Sequence, residues 1–359
     1  MIKVVEENIS KLENKDFTLY FFVLDTKGNP SSALEYIYRT ALTLQNKGYK
    51  VKILHNEKEF IGVRDWLGDE YADLPHANTE KENVEISASD FLFIPEIFAN
   101  VMMQTKKLPC KRVILVQNAN NITEFLPVSQ SFDNLGILDA IVTTKVQEIK
   151  LKDWFSDLRT HIVSPSINPI FKKSDKPQKL LVNVISREQS DVNRIVKPFY
   201  WKNPIYKFVS FRDLRGLSQD LFAEALREAA ITIWVDDVTP FGYSALEALR
   251  SGGLVLAKVP TEQSDWMFDN NGLVDSVIWF DTIEEVVEML PSAIRSWTLD
   301  QVPDEVYTKQ DELSTLYSEE TQNAEIEQVY IKEIVGKRLA DFKEVLADLK
   351  NNKDEENED

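Results

Sequence analysis

The segment from residue 231 to residue 257 constrains the fold of this chain more than any other. It opens and closes with apolar runs of strand length, residues 231–235 and 254–257. Between them lie a tight turn containing Gly242, a short helix and the Gly252-Gly253 stop. The order of strand, turn, helix and strand predicts two parallel strands joined by a helix. The turn would place the free N–H groups of a helix start at the carboxyl end of a strand, where phosphate groups are commonly held.

Glu247 lies one turn into the predicted helix. An acid at this position can accept hydrogen bonds from ribose hydroxyls, as the acidic residue of dinucleotide sites does. The other interpretation is that Glu247 is an exposed helix acid and Gly242 an ordinary turn residue. The pattern alone leaves both interpretations open.

Residues 239–256 resemble the signature of retaining glycosyltransferases of family 4 (group 1), in which Glu-x7-Glu is embedded in Glu-Pro-Phe-Gly-Leu-x-x-x-Glu-Ala-Met-Ala-x-Gly-x-Pro-Val-Val. The residues in register with it include Pro240, Phe241, Gly242, Glu247, Ala248 and Gly252. Thr239 stands where the first Glu is expected, and a weaker resemblance covers residues 17–300. The resemblance implies an α/β protein of the GT-B fold, with two Rossmann-like domains facing each other across a cleft.

Length and composition agree with such a protein. The chain has 359 residues, enough for two α/β domains, and its hydrophobic content of 43% excludes general disorder. Cys110 is the single cysteine, so no disulfide can form within the chain. We expect no signal peptide, because the first seven residues are charged and short of apolar length, and the apolar stretch from Leu19 to Leu24 is too short to span a bilayer. We therefore expect a cytoplasmic protein.

The net charge of −18 disfavours nucleic acid as a partner, because affinity for it rests on Lys and Arg neutralising phosphates. One local basic cluster stands against that charge: Lys106, Lys107, Lys111 and Arg112. It is a candidate for peripheral contact with a membrane or for an anionic acceptor. The other interpretation is a solvated helix end.

Apolar runs of strand length alternate with segments of helical periodicity in two series, separated by an aperiodic stretch at 170–178. The first series begins with strands at 17–24 and 50–54, and the second includes a strand at 206–210. We predict an N-terminal Rossmann-like acceptor domain at 1–168 and a C-terminal Rossmann-like nucleotide-sugar domain at 169–310. From the resemblance, helices in 311–350 pack back on the first domain, although an exposed extension is the alternative. Residues 351–359 are predicted to be a disordered acidic tail.

The resemblance places the donor on the second domain. Glu247 would hold the ribose, and the turn residues Phe241, Gly242, Tyr243 and Ser244 the phosphate and sugar. Arg187 falls on the Arg of the family's Gly-Arg-x4-Lys pattern, and Arg194 lies two residues beyond its Lys position. Arginine suits two-pronged phosphate binding. Arg212, with Arg215, follows a predicted strand where the family contacts the base. Surface salt bridges are the alternative for these arginines.

The first domain would complete the site. Gly28 and Asn29 occupy the loop after the first strand, where the family carries a Gly-rich loop beside the donor. Asn118 stands where the family often has His; it can hydrogen-bond a sugar hydroxyl but cannot act as a base. The Val116-Gln117 strand ending faintly resembles that of rhamnosyltransferase-like members. Thr239 and Asn118 are thus the predicted catalytic positions, and the loss of charge at Thr239 predicts an altered sugar specificity.

No metal or cofactor is expected beyond the nucleotide-sugar co-substrate. His55, His76 and His161 lack metal-ligand spacing, and no Asp-x-Asp lies in a plausible donor loop. We predict a retaining, metal-independent hexosyl- or deoxyhexosyltransferase that acts on the hydroxyl of a glycan, a lipid-linked or another acceptor. Two alternatives remain open. One is a catalytically inactive GT-B partner protein, and the other is a phage-type enzyme that glycosylates modified DNA bases.

Overall fold

The computed structural model describes residues 1–236, 241–270 and 272–358. The chain divides into two compact units. The first unit consists of Met1–Ser164 with Gln322–Asp359, and the second unit of Pro165–Thr321. The structure thus divides the chain after residues 164 and 321, whereas the sequence pattern predicts divisions after 168 and 310.

The first unit is built on a seven-stranded sheet in the order β3-β2-β1-β4-β5-β6-β7, with every pair parallel. Its strands are β1 (Thr18–Phe22), β2 (Lys50–His55), β3 (His76–Asn78), β4 (Phe91–Pro95), β5 (Lys111–Val116), β6 (Asp139–Val142) and β7 (Arg159–Ile162). Its first seven helices are α1 (Ile2–Glu13), α2 (Ser32–Asn46), α3 (Arg64–Leu67), α4 (Asp69–Ala72), α5 (Ala99–Gln104), α6 (Ala119–Phe125) and α7 (Lys145–Trp154).

The central strands of this sheet are apolar on both faces. In β1, Leu19 and Phe21 enter one core cluster, whereas Tyr20 and Phe22 enter another. Successive side chains of a strand point to opposite faces, so each face of the sheet carries its own core. The apolar run at 17–24 therefore predicted a buried parallel strand correctly.

The second unit holds a five-stranded parallel sheet in the order β14-β11-β10-β8-β9, and a separate hairpin of β12 and β13. Its strands are β8 (Lys179–Ser186), β9 (Ser210–Asp213), β10 (Ala229–Val235), β11 (Leu254–Lys258), β12 (Phe268–Asp269), β13 (Gly272–Leu273) and β14 (Ile278–Phe280). Its helices are α8 (Gln189–Lys202), α9 (Gln219–Glu228), α10 (Tyr243–Arg250), α11 (Ile283–Thr298) and α12 (Asp304–Leu316).

The strand predicted at 206–210 is wrong. Pro204–Tyr206 forms a turn of 3-10 helix, and β9 begins only at Ser210. The aromatic run is not a buried strand, because Tyr206 packs its ring 5.9 Å from that of Phe199 and Phe208 is exposed. This shift moves Arg212 from the loop into β9.

The C-terminal segment returns to the first unit. It consists of α13 (Glu319–Ile326), a π-helix (Glu327–Val335) and α14 (Gly336–Glu358). Tyr330 is fully buried, with its ring 4.8 Å from that of Phe93 and 6.0 Å from that of Phe21. The predicted return of the C-terminal helices to the first domain is therefore confirmed.

The last helix, α14, continues to Glu358. This helix is held against α1 by ion pairs from Lys343 to Glu13 (2.7 Å) and from Lys350 to Glu6 (3.0 Å). Among the described helices, none is long and apolar enough to cross a membrane.

Each parallel sheet has one point where the strand order reverses. It lies between β1 and β4 in the first unit and between β8 and β10 in the second. Open α/β sheets bind ligands beyond the carboxyl ends of the strands at such points. A ligand site is therefore expected at these two edges.

Candidate functional site

Arg187 and Asp236 meet where the strand order of the second unit reverses. They directly follow β8 and β10, and the Arg187 Nε and Nη2 atoms lie 3.2 and 3.4 Å from Oδ1 and Oδ2 of Asp236. The Arg187 side chain remains 59% exposed. The guanidinium is thus held at the switch point on a side chain that is largely exposed to solvent.

The turn before α10 admits only glycine. Gly242 has φ +73°, and a Cβ there would lie 3.1 Å from Met267 Cε and 3.2 Å from Trp266 Cζ2. The Trp266 indole Nε1 also donates a hydrogen bond of 2.6 Å to the carbonyl of Phe241. This packing fixes the start of α10 behind the carboxyl end of β10, as the sequence pattern predicted.

The side chains of the turn mostly contact the protein itself. Phe241 is buried with its ring 4.7 Å from that of Tyr243, and the Ser244 hydroxyl accepts a 3.1 Å hydrogen bond from Trp234 Nε1. Glu247 follows in the second turn of α10 and is half-buried. The candidate ligand groups here are accordingly Glu247 and the backbone N–H groups of the first turn.

Arg194 and Arg212 each pair with an acid of the second unit. Arg194 on α8 forms an exposed ion pair of 2.9 Å with Glu284 of α11. Arg212 pairs at 2.8 Å with Glu228, which also binds Lys179, the first residue of β8. Glu228 directly precedes β10, so this pair directs the Arg212 guanidinium to the amino edge of the sheet. The structure therefore does not bring Arg212 to the end of the sheet that carries Arg187.

Arg215 lies at the edge that Arg212 does not reach. Its Nε donates to Asp213 Oδ1 at 3.1 Å, and its Nη2 donates to the amide oxygen of Gln189, two residues after Arg187. Since β9 ends at Asp213, Arg215 follows the strand whereas Arg212 lies within it. Had the sequence analysis placed the end of β9 correctly, it would have predicted Arg215 rather than Arg212 as the residue that follows the strand.

In the first unit, Gly28 and Asn29 form a turn after β1. Gly28 has φ +80°, and Asn29 donates its Nδ2 to the carbonyl of Thr26 at 2.8 Å. The buried Asp25 carboxylate accepts from the N–H groups of Ile61 and Lys27 at 2.8 and 3.1 Å. Burial opposes ionisation of Asp25, but these donors hold its pKa below the usual value. The Asn29 amide thus serves the local turn.

Asn118 is the N-cap of α6, and its Oδ1 accepts from the N–H of Asn120 at 3.0 Å. Its own N–H donates to the buried Glu96 carboxylate at 3.0 Å, as does Nδ2 of Asn121. Burial raises the pKa of Glu96 against these donors. Sequence reasoning missed Glu96; its signal was an acid directly after the apolar run 91–95.

The basic cluster of the sequence does not form one surface. Arg112 is buried and donates to the carbonyl of Met102 at 3.0 Å, and Lys111 pairs with Asp139. Lys106 and Lys107 remain exposed. Their separation from Arg112 follows from β5, which carries Arg112 into the interior.

Thr239, the other predicted catalytic position, lies outside the described residues, as does Pro240. Within the part of the chain that is described, no three His, Cys, Asp or Glu side chains converge as a metal site. The described site thus consists of Arg187, Arg215 and the α10 turn at one sheet edge.

No protein-family model matches the chain. An alpha-1,6-glucosyltransferase of Actinobacillus pleuropneumoniae serotype 7 (strain AP76) is 24% identical over 176 residues, which make up 48% of this chain and 53% of that protein. The chain therefore spans about half the length of this curated relative.

Solved structures resemble the chain over most of its length. The sucrose-phosphate synthase of Thermosynechococcus elongatus superposes with a TM-score of 0.60 and 10% identity, covering 89% of this chain and 99% of that one. HepE of Anabaena, solved with UDP-glucose, superposes with a TM-score of 0.59 and 10% identity, covering 87% and 99%. These likenesses confirm the predicted resemblance to glycosyltransferases of the GT-B fold.

Proposed function

We propose that this chain is a retaining glycosyltransferase that moves a hexosyl or deoxyhexosyl group from a nucleoside diphosphate sugar to an acceptor hydroxyl. The observation that carries the proposal is the exposed Arg187 guanidinium, held by Asp236 at the same sheet edge as the glycine-capped start of α10. An anionic diphosphate suits both an arginine fork and a helix N-terminus. The GT-B fold and the glucosyltransferase relative support the same class of reaction.

In the proposed reaction, the bond between the anomeric carbon and the diphosphate oxygen breaks, and its electron pair leaves with the diphosphate. The acceptor oxygen bonds to the anomeric carbon on the same face, and the acceptor proton passes to the departing phosphate. Arg187 stabilises the negative charge that develops on the leaving group. Glu247 accepts hydrogen bonds from the ribose hydroxyls.

The acceptor is a hydroxyl of a glycan, a lipid-linked saccharide or another glycoconjugate, and the reaction takes place in the cytoplasm without a metal. The structure of HepE with UDP-glucose makes a uridine nucleotide the first donor to test. In the first unit, Asn118 is the residue proposed to contact the sugar. It caps the N-terminus of α6, and its N–H donates to the Glu96 carboxylate.

A thermal-shift panel of nucleoside diphosphates and their sugars, with donor hydrolysis followed in the same samples, tests the proposal. A base-selective rise in Tm with slow hydrolysis is expected, because a ligand that binds only the folded state stabilises it. Both should persist in EDTA. Binding without turnover of any donor or acceptor would instead favour the inactive partner protein. The absence of a shift with every nucleotide would contradict donor binding itself.

A further inference from the structure

An exposed surface with apolar and basic side chains lies between α8 and β9 of the second unit. Trp201, Ile205 and Phe208 are 75%, 73% and 67% exposed. The stretch 197–208 contains three lysines and no acid. We call it the aromatic-basic surface, and its members are Lys197, Trp201, Lys202, Ile205, Lys207 and Phe208.

The fold does not use these apolar side chains, although it fixes the backbone that carries them. Phe199 is buried, the Tyr200 hydroxyl donates to the carbonyl of Val209 at 2.6 Å, and the Tyr206 ring lies 5.9 Å from that of Phe199. The inward residues of the stretch are thus packed, whereas Trp201 and Phe208 point away from that core. Contiguous apolar groups rimmed by charge mark interaction sites on soluble proteins.

The charge of this surface is opposite to that of the whole chain, which carries −18. Of its three lysines, Lys202 contacts Glu288 of α11. Lys197 and Lys207 form no ion pair with any residue that the structure describes. The surface therefore presents uncompensated positive charge and complements an anionic partner.

The surface lies away from the proposed donor site. α8 begins at the carboxyl edge of the sheet, beside Arg187, and ends at the amino edge, where the chain enters β9. Since β8 and β9 are parallel, Trp201 and Phe208 belong to the amino edge. An occupant there leaves the edge with Arg187 and Asp236 open.

We infer that the aromatic-basic surface binds the anionic face of a phospholipid bilayer. Tryptophan and phenylalanine enter the interfacial layer, and lysines place their ammonium groups among lipid phosphates while their stems lie along the apolar groups. A second copy of the chain fits less well. Three side chains of this size bury on the order of 500 Å² at most, whereas a stable interface needs about 800 Å² on each partner.

Sedimentation of the full chain with vesicles tests this inference. Binding is expected to phosphatidylcholine vesicles that contain phosphatidylglycerol, to weaken as salt is raised, and to be absent with phosphatidylcholine alone. The triple variant Trp201→Ser, Ile205→Ser, Phe208→Ser should lose about tenfold in partitioning. Leu221→Ser on α9, where Leu221 is 54% exposed, is the matched control and should bind as the unmodified chain does. Circular dichroism verifies that each variant is folded.

The double variant Lys197→Glu, Lys207→Glu tests whether vesicle binding depends on this surface or on the exposed lysines of the first unit. It should weaken binding to anionic vesicles about tenfold, whereas Lys106→Glu, Lys107→Glu should not. The reverse order would overturn the inference, as would a wild-type chain that ignores anionic vesicles. Self-association in vesicle-free solution that the triple serine variant abolishes would assign the surface to a second copy instead. None of these measurements depends on nucleotide binding, so the inference can fail while the proposed function stands.

Discussion

Arg187 and Asp236 join the carboxyl ends of β8 and β10 through two contacts of 3.2 and 3.4 Å. They are distant in sequence and adjacent only because the sheet places β10 directly beside β8. The carboxylate orients the guanidinium before any ligand arrives, and such preorganisation lowers the cost of binding an anion. The pair therefore makes the switch point of the second unit the focus of the first test.

Arg187→Ala should raise the Kd of a nucleoside diphosphate at least about tenfold, because a charged, two-pronged hydrogen bond to phosphate is lost. Arg187→Lys should recover only part of it, since lysine keeps the charge without the fork. Isothermal titration calorimetry measures both. Arg212→Ala is the matched control, because its ion pair lies at the amino edge. An equal loss in both variants would indicate a general electrostatic effect and remove Arg187 from the site.

Glu247→Ala should weaken donor binding about tenfold to a hundredfold, which corresponds to hydrogen bonds made by a charged acceptor. The effect should be specific for ribose. The unmodified chain is expected to prefer ribonucleotides over deoxyribonucleotides, and the alanine variant should lose this preference. Competition binding with both nucleotides measures the change. An unchanged preference would show that Glu247 does not contact the ribose.

Gly242→Ala should destabilise the second unit by two separable costs. A residue with a Cβ is strained in the left-handed region by about 1–2 kcal/mol, and contact with Trp266 and Met267 adds about 1–3 kcal/mol of overpacking. Gly216→Ala is the matched control: its φ of +69° is close to the +73° of Gly242, and nothing lies within 4 Å of the place that a Cβ would take there. Urea unfolding measures both variants. Equal losses of unfolding free energy in the two variants would mean that Trp266 and Met267 do not exclude a side chain at position 242.

His161 makes the stability of the first unit depend on pH. Its Nδ1 lies 2.6 Å from Glu333 Oε2 of the π-helix, and its Nε2 lies 3.2 Å from Asp139 Oδ1. Burial disfavours the charged ring, but the two carboxylates raise the pKa of His161 above its ordinary value. Because the pKa in the folded state is higher than in the unfolded state, this stabilisation is complete below about pH 6.5. It is lost as pH rises through the folded pKa.

The Tm of the unmodified chain should therefore fall relative to that of His161→Gln as pH is raised from about 6 to about 8. Gln keeps a hydrogen-bonding side chain but does not titrate in this range. His55→Gln is a control, because burial lowers the pKa of His55 and its carboxylate neighbours do not reverse the shift. If the difference in Tm between the unmodified chain and His161→Gln stayed constant with pH, a protonated His161 would not stabilise the contact between β7 and the π-helix.

The sequence by itself determined the central strands of the two parallel sheets and the place of the Gly242 turn, but it did not predict the short edge strand β3. Buried parallel strands are apolar on both faces, and a left-handed turn at a helix start selects glycine; both are local properties that a short stretch of residues expresses. The error at 206–210 shows the limit of this reasoning. An aromatic run has the same composition whether it pairs as a strand or packs one face and exposes the other.

Only the tertiary structure decided which polar residues meet. Strand order brings Arg187 to Asp236, carries Arg212 to the opposite edge and leaves Arg215 beside Gln189. It also brings the Glu96 carboxylate within hydrogen-bond distance of the Asn118 N–H. Tyr330 likewise joins the core cluster that contains the β1 side chains Leu19 and Phe21. These relationships depend on which strands are neighbours and in what register. Periodicity does not encode them, since every buried parallel strand shows the same apolar pattern.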